Sequence, residues 1–219
     1  MRVGIICEGI TDFVILEAIV YAVIDADDCA LLQPDFDRLQ LRDAEQRLAP
    51  GWQGVRKFLS ESAPALKVSV YDVLLIQVDA SIRYLQEIQR RLSTPVDPSD
   101  DLQPLRDLVK GWAGRELPES AVVTLPREDL EAWLLASHTN RKGIEGILSP
   151  GTVLVELGVL QEKNGKPHKT EEKYRELAPA LARLVKNHRK LREVRELERT
   201  TDGLRRRARA VRRAGGNNR

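Results

Sequence analysis

Two acids, Glu8 and Asp79, each follow an apolar run, and that placement is the first sign of chemistry in the chain. Val3-Gly4-Ile5-Ile6-Cys7 leads into Glu8-Gly9-Ile10-Thr11-Asp12, and Val73-Leu74-Leu75-Ile76-Gln77-Val78 leads into Asp79. A short apolar run bounded by turn residues reads as a strand buried on both faces, as in a parallel sheet. Functional groups in such sheets sit beyond the carboxyl ends of the strands. Two carboxylates from two strand ends, meeting in one cleft, supply the hard oxygen ligands that suit a divalent cation. Asp12, one helical turn beyond Glu8, is a further oxygen donor. A third group lies in Pro126-Arg127-Glu128-Asp129-Leu130-Glu131-Ala132-Trp133. Glu128 and Glu131 are three apart and would share a face of a helix starting there. Acids in a first helical turn are also stabilised by the macrodipole alone, so a structural reading of this pair stands beside the ligand reading.

These acids need elements to hold them. Arg2 to Cys7 reads as the first strand. Thr11 is suited to N-cap a helix in which Phe13, Leu16, Ala18, Ile19, Val20 and Val23 form a broad apolar face. Asp25, Asp27 and Asp28 end that helix in a turn that reads first as solvated, with metal binding as the alternative. Residues 31–48 give no clear pattern beyond a short helix near Asp43 to Leu48. Gly54 to Ser62 reads as a helix ended by Pro64. Val68 to Val78 is a strand whose second half is the buried one. Ser81 is suited to cap a helix over Ser81 to Leu92, with Ile82, Leu85, Ile88 and Leu92 on one side. Ser93 to Asp101 is a surface loop, Pro104 to Gly114 a helix, and Ala121 to Leu125 a short strand. Gly151 to Leu160 is a short helix and Asn164 to Thr170 a turn. Glu171 to Arg213 is mostly helical, interrupted at Thr200-Thr201-Asp202-Gly203. The reading is an α/β protein: residues 1–140 form a parallel sheet flanked by helices, 141–214 a basic, mainly helical extension, and 215–219 a disordered tail.

Composition narrows the class. The chain has 219 residues, 42% of them hydrophobic and 31% charged, with a net charge of +2. No apolar run approaches the roughly 18 residues of a membrane span. Glu8 follows Arg2 too closely for a secretory leader. Two cysteines, Cys7 and Cys29, form no framework of pairs, which points to a reducing cytoplasm. The small net charge hides an asymmetry. Residues 165–219 carry 18 Lys and Arg against 7 Asp and Glu, while the rest carries 17 basic and 26 acidic residues. Segregated positive charge is the usual footprint of a polyanion partner. Arg205, Arg206 and Arg209 head the candidates for contacting nucleic acid, although the arginines of 205–213 cannot all face one way on a helix. No zinc spacing, Gly-x-Ser-x-Gly turn or Walker loop is present.

The Glu8-Gly9 pair at a strand end, followed by Asp79 at the end of a later strand, resembles the Toprim domain of topoisomerases, primases, small RNA-maturing nucleases and OLD-type nucleases. The resemblance covers roughly residues 1–140. Its second motif is an Asp-x-Asp pair; Asp79 matches the first acid, and Ser81 stands where the second would be. The Glu131-Ala132-Trp133-Leu134-Leu135-Ala136 run is similar to one in a branch of Toprim-like proteins from prokaryotic defence and mobile-element loci. That branch also carries a basic Lys-Thr stretch, which implies phosphate contacts for Lys166 and Lys169. The resemblance implies Mg²⁺ or Mn²⁺ as cofactor, with Glu8, Asp79 and Glu131 catalytic. Glu8, Asp79, Glu128, Glu131 and Asp12 form the wider set of candidate ligands. It implies cleavage of phosphodiester bonds in DNA or RNA, in an antiviral or mobile-element defence setting beside a separate ATPase or other defence protein. A second copy of the chain is a further candidate partner. With Ser81 in place of an acid, a degenerate Toprim domain that only binds nucleic acid or a partner stands as the alternative.

Overall fold

The computed structural model describes residues 1–34, 50–67, 70–92, 102–114 and 117–216. The short helix expected near residues 43–48 and the loop expected over 93–101 lie outside the described residues. Four strands, β1 (Arg2–Ile6), β2 (Asp28–Gln33), β3 (Val73–Gln77) and β4 (Ala121–Thr124), form a parallel sheet in the order β2-β1-β3-β4. The fold is α/β, with helices on both faces. Helix α1 (Ile10–Val23) links β1 to β2. Helix α2 (Trp52–Lys67) precedes β3, and a short α3 (Gln86–Gln89) and α4 (Gln103–Gly111) separate β3 from β4. Beyond β4 come α5 (Glu131–His138), α6 (Pro150–Glu156), the hairpin β5 (Glu162–Lys163) and β6 (Lys166–Pro167), then α7 (Glu171–Lys186), α8 (His188–Leu191) and α9 (Arg195–Gly216).

Strand β3 shows why the sheet is buried on both faces. Its odd-numbered side chains, Val73 and Leu75, enter one core with α1, α5, α7 and α9. Its even-numbered ones, Leu74 and Ile76, enter a second core with α2 and α4. A strand covered this way needs a continuous apolar run, which is what the sequence supplies. Helix α1 is likewise apolar over most of its surface, because β1 lies on one side and α7 packs along another; Glu17 and Tyr21 face outward. No helix among the described residues is long and apolar enough to cross a membrane.

The chain order makes a crevice. From β1 the chain moves through α1 to β2 on one side, then returns to place β3 on the other side of β1. The direction of winding reverses between β1 and β3. Strand-end loops diverge at such a switch point and leave an opening outside the carboxyl ends.

Several local expectations change. Strand β2 begins at Asp28, where a solvated turn was expected; Cys29 to Gln33 pair with β1 and bury Cys29 and Gln33. Thr11 does not cap α1: Gly9 is the N-cap and makes no side-chain cap. Pro64 falls inside α2, which runs on to Lys67. A proline near a helix end removes one hydrogen bond that the last turns can forgo. The single helix expected over Ser81 to Leu92 is a 3₁₀ turn (Ala80–Tyr84) followed by α3, and Ser81 caps neither. In the C-terminal part the break comes at Asn187 and at residues 192–194, not at Thr200 to Gly203. Thr200 bonds Thr124 of β4, Thr201 is buried, and Gly203 lies against Val122. The small and hydroxylated residues there let α9 pack closely on the edge strand. Helix α9 continues through Gly215 and Gly216, where a disordered tail was expected.

Gly4 marks the tightest point of the sheet. A β-carbon there would sit 2.7 Å from Leu32, 2.9 Å from Leu74 and 3.1 Å from Tyr71. Gly4→Ala is expected to destabilise the protein by about 1–3 kcal/mol through overpacking, read as a lowered urea midpoint with an unchanged m-value.

Candidate active site

Glu8 stands two residues beyond β1 and Asp79 two residues beyond β3, on adjacent strands at the switch point. The two are joined directly: the Asp79 backbone N–H donates to Glu8 Oε1 at 2.7 Å. Gln77, fully buried, ties them a second time. Its Nε2 donates to Asp79 Oδ1 at 2.8 Å, and its Oε1 accepts from the Glu8 backbone N–H at 3.3 Å. The start of α2 covers the other side. The Gly51 N–H donates to the Glu8 carbonyl at 2.8 Å, and the Trp52 N–H donates to the Glu8 carboxylate. Gly51 has φ +87, a left-handed conformation that glycine adopts without strain.

Helix α5 brings the third acid. It begins at Glu131, whose side chain is almost fully buried. Glu131 accepts a hydrogen bond from the Tyr174 hydroxyl of α7 and an ion pair from Lys169 at 2.6 Å. Lys169 is delivered by the hairpin and the start of α7. Asn164 and Gly165 turn the hairpin with φ values of 55 and 72, the two left-handed residues that a tight two-residue turn requires. Thr170, next to Lys169, caps α7 by accepting from the Lys173 N–H at 3.2 Å. Gly151 of α6 lets Pro167 and Glu131 approach: a β-carbon there would lie 3.2 Å from Pro167.

Glu128 does not take the ligand position expected of it, and Asp129 stands there instead. Because α5 starts at Glu131, Glu128 lies in the preceding loop and does not share a helix face with Glu131. Its buried carboxylate pairs with Arg83 and accepts from the Tyr84 hydroxyl at 3.0 Å. Asp129 turns to the cluster and bonds Glu131. Its Oδ1 is buried and has no hydrogen-bond partner among the described residues. Sequence spacing missed Asp129, Gln77 and Tyr174.

Glu8, Asp12, Asp79, Asp129 and Glu131 therefore feel one another's charge. Burial, then Glu131 and Glu8, push Asp12 up to about 8. Burial and Glu131 push Asp129 up to about 8. Burial raises Glu8, although the Asp79 and Trp52 amides oppose it. Burial and the charges of Glu8, Asp12, Glu131 and Asp129 hold Asp79 well above the usual carboxylate range. Glu131 goes the other way: burial opposes its charge, but Lys169 and Tyr174 outweigh that and lower it. For Lys169, desolvation is outweighed by Glu131 and its neighbours, and the ammonium is held more firmly protonated than usual.

The remaining sequence candidates lie elsewhere. Lys166 is exposed in β6. Arg205 pairs with Asp202 at 3.2 Å, while Arg206 and Arg209 are exposed on α9. Among the described residues no three His, Cys, Asp or Glu side chains are already gathered as a metal-holding set. The donor chemistry nevertheless fits a hard cation: every acid in the cluster offers oxygen, and Asp129 Oδ1 is left without a partner. Compared with protein-family models, curated proteins and solved structures, the chain matches none of them.

The pH dependence of stability follows from the signs. Glu8, Asp12, Asp79 and Asp129 bind protons more tightly folded than unfolded, where they would titrate near 4. Their contribution is full below about pH 4 and is lost as pH rises through about 8. Glu131 opposes this trend with a single group. In metal-free buffer the unfolding midpoint is expected to fall between about pH 5 and pH 8, less steeply in Asp79→Asn, as followed by thermal denaturation.

Proposed function

We propose that this chain is a Toprim-like, metal-dependent phosphodiester hydrolase acting on DNA or RNA. The observation that carries the reading is the direct bond between the Asp79 amide and the Glu8 carboxylate, which sets two strand-end acids side by side at the switch point. Glu8, Asp79 and Glu131 would hold Mg²⁺ or Mn²⁺, with Asp12 and Asp129 adding oxygen donors. When bound, such an ion polarises a phosphoryl oxygen and lowers the pKa of a coordinated water.

The chain's own residues supply the rest. Gln77 fixes the Asp79 carboxylate, and the Asp79 and Trp52 amides orient Glu8. Glu8, with its raised proton affinity, is suited to take a proton from an attacking water or give one to the leaving oxygen. Lys169 neutralises Glu131 and can turn its ammonium toward a phosphate. The basic C-terminal helices would hold the sugar-phosphate backbone with a salt-sensitive, largely sequence-independent affinity. A separate ATPase in a defence setting, or a second copy of the chain, belongs to the same reading as a partner.

A specific observation favours a second reading, a degenerate domain that binds without cutting. Lys169 already supplies a cation to the cluster, and Ser81 offers a hydroxyl in place of an acid. Cleavage of plasmid DNA and structured RNA by purified protein separates the two. The hydrolase reading expects cleavage with Mg²⁺ or Mn²⁺ that falls about 100-fold or more in Glu8→Gln and in Asp79→Asn. Cleavage that survives both substitutions contradicts the assignment. Salt-dependent binding without cleavage selects the second reading.

A further inference from the structure

A wide cavity lies away from the acidic cluster. It has a volume of about 760 Å³ and is walled by Arg127, Arg192, Arg195, Arg199 and Arg206, with Leu102 at its edge. Four acids, Glu145, Glu196, Glu198 and Asp202, also line it, and three of them are engaged. Glu196 pairs with Arg106 at 2.6 Å and Arg199 at 3.5 Å, and Asp202 pairs with Arg205 at 3.2 Å. Glu145 accepts from the Glu196 backbone N–H at 3.0 Å and the Trp133 indole at 3.2 Å, so its carboxylate caps the start of α9. Arg192 and Arg206 have no acid partner among the described residues, and both are exposed. A second cavity of about 440 Å³ shares Arg199 and Arg206 and adds Arg106, Lys110 and Arg207. The two make one basic trough along α9, over the edge strand β4.

We infer that this trough binds the phosphodiester backbone of a nucleic-acid strand and leads it to the acidic cluster. The inference rests on the hydrolase or binding reading of that cluster. Two features select a strand over a small phosphate. The first is length: Arg195 to Arg206 spans about 16 Å of helix, about five steps of a strand at 3.4 Å rise. The second is continuity: Arg127, at one end of the trough, is two residues from Asp129 of the cluster. Arg83 fixes this linking loop by donating to the Arg127 carbonyl and pairing with Glu128. Guanidinium forks on a rigid helix suit repeated phosphates at fixed spacing.

The test is fluorescence anisotropy of labelled single- and double-stranded 20-mers with the full chain in EDTA. The variant Arg192→Gln/Arg199→Gln/Arg206→Gln changes three exposed side chains, and its fold is checked by circular dichroism. Binding at least tenfold weaker, with the log-log salt slope shallower by about 2–3, is expected from losing three phosphate contacts. Arg141→Gln/Lys142→Gln/Arg189→Gln removes equal charge from a different cavity and should shift affinity less than twofold. The inference is overturned by no binding in the wild type, by unchanged binding in the first variant, or by equal losses in both variants. Full displacement of the 20-mer by millimolar mononucleotide would also overturn it. Binding through these arginines with no metal-dependent cleavage leaves the trough standing and removes the hydrolase reading. Metal-dependent cleavage with trough-independent binding does the reverse.

Discussion

Carboxylates at one rim repel one another, and the architecture around the switch point is arranged to keep them there. The Asp79 amide and Gln77 hold Glu8 and Asp79 together; Lys169 and Tyr174 hold Glu131. None of these contacts relieves the cluster as a whole. One ammonium faces five acids, and burial together with that repulsion makes Asp12, Asp79 and Asp129 weaker acids than usual. A site of this kind costs stability at neutral pH, which is the usual sign of a function-driven arrangement. A divalent cation would turn the repulsion into attraction.

The surrounding core supplies the stability the cluster withholds. Strand β3 is buried along its whole length, and α1 is enclosed by the sheet and the C-terminal helices. Each fully buried Leu or Ile contributes about 1.5–3 kcal/mol. The Arg83–Glu128 pair locks the loop between β4 and α5 from within; removing one partner of such a buried pair costs about 3–5 kcal/mol. That loop faces two ways. Asp129 looks into the acidic cleft, and Arg127 looks into the basic trough. The same six residues, 125–130, therefore separate, and connect, the two oppositely charged surfaces.

Much of this was legible in the sequence. Apolar runs gave β1, β3 and β4, and an acid after each of the first two gave Glu8 and Asp79, because a strand buried on both faces leaves only its ends for polar groups. Strand β2 was less visible: its run is short and follows three acids that read as a turn. The i, i+3 spacing of Glu128 and Glu131 misled because it assumed a helix that starts three residues later. Asp129, Gln77 and Tyr174 carry no local signal for a site; their roles come from tertiary contacts across strands and helices. The break in the C-terminal helices was misplaced for a similar reason. Thr200, Thr201 and Gly203 look like helix breakers in isolation, yet they are the contact surface that lets α9 lie on β4.

The central claim is that the five acids form a site for a divalent cation. Isothermal titration of Mn²⁺ into the wild-type protein and into Asp79→Asn tests it most directly. The account predicts saturable binding by the wild type and affinity about 10-fold or more weaker in the variant. No saturable binding by the wild type, or equal affinity in the two proteins, would contradict it.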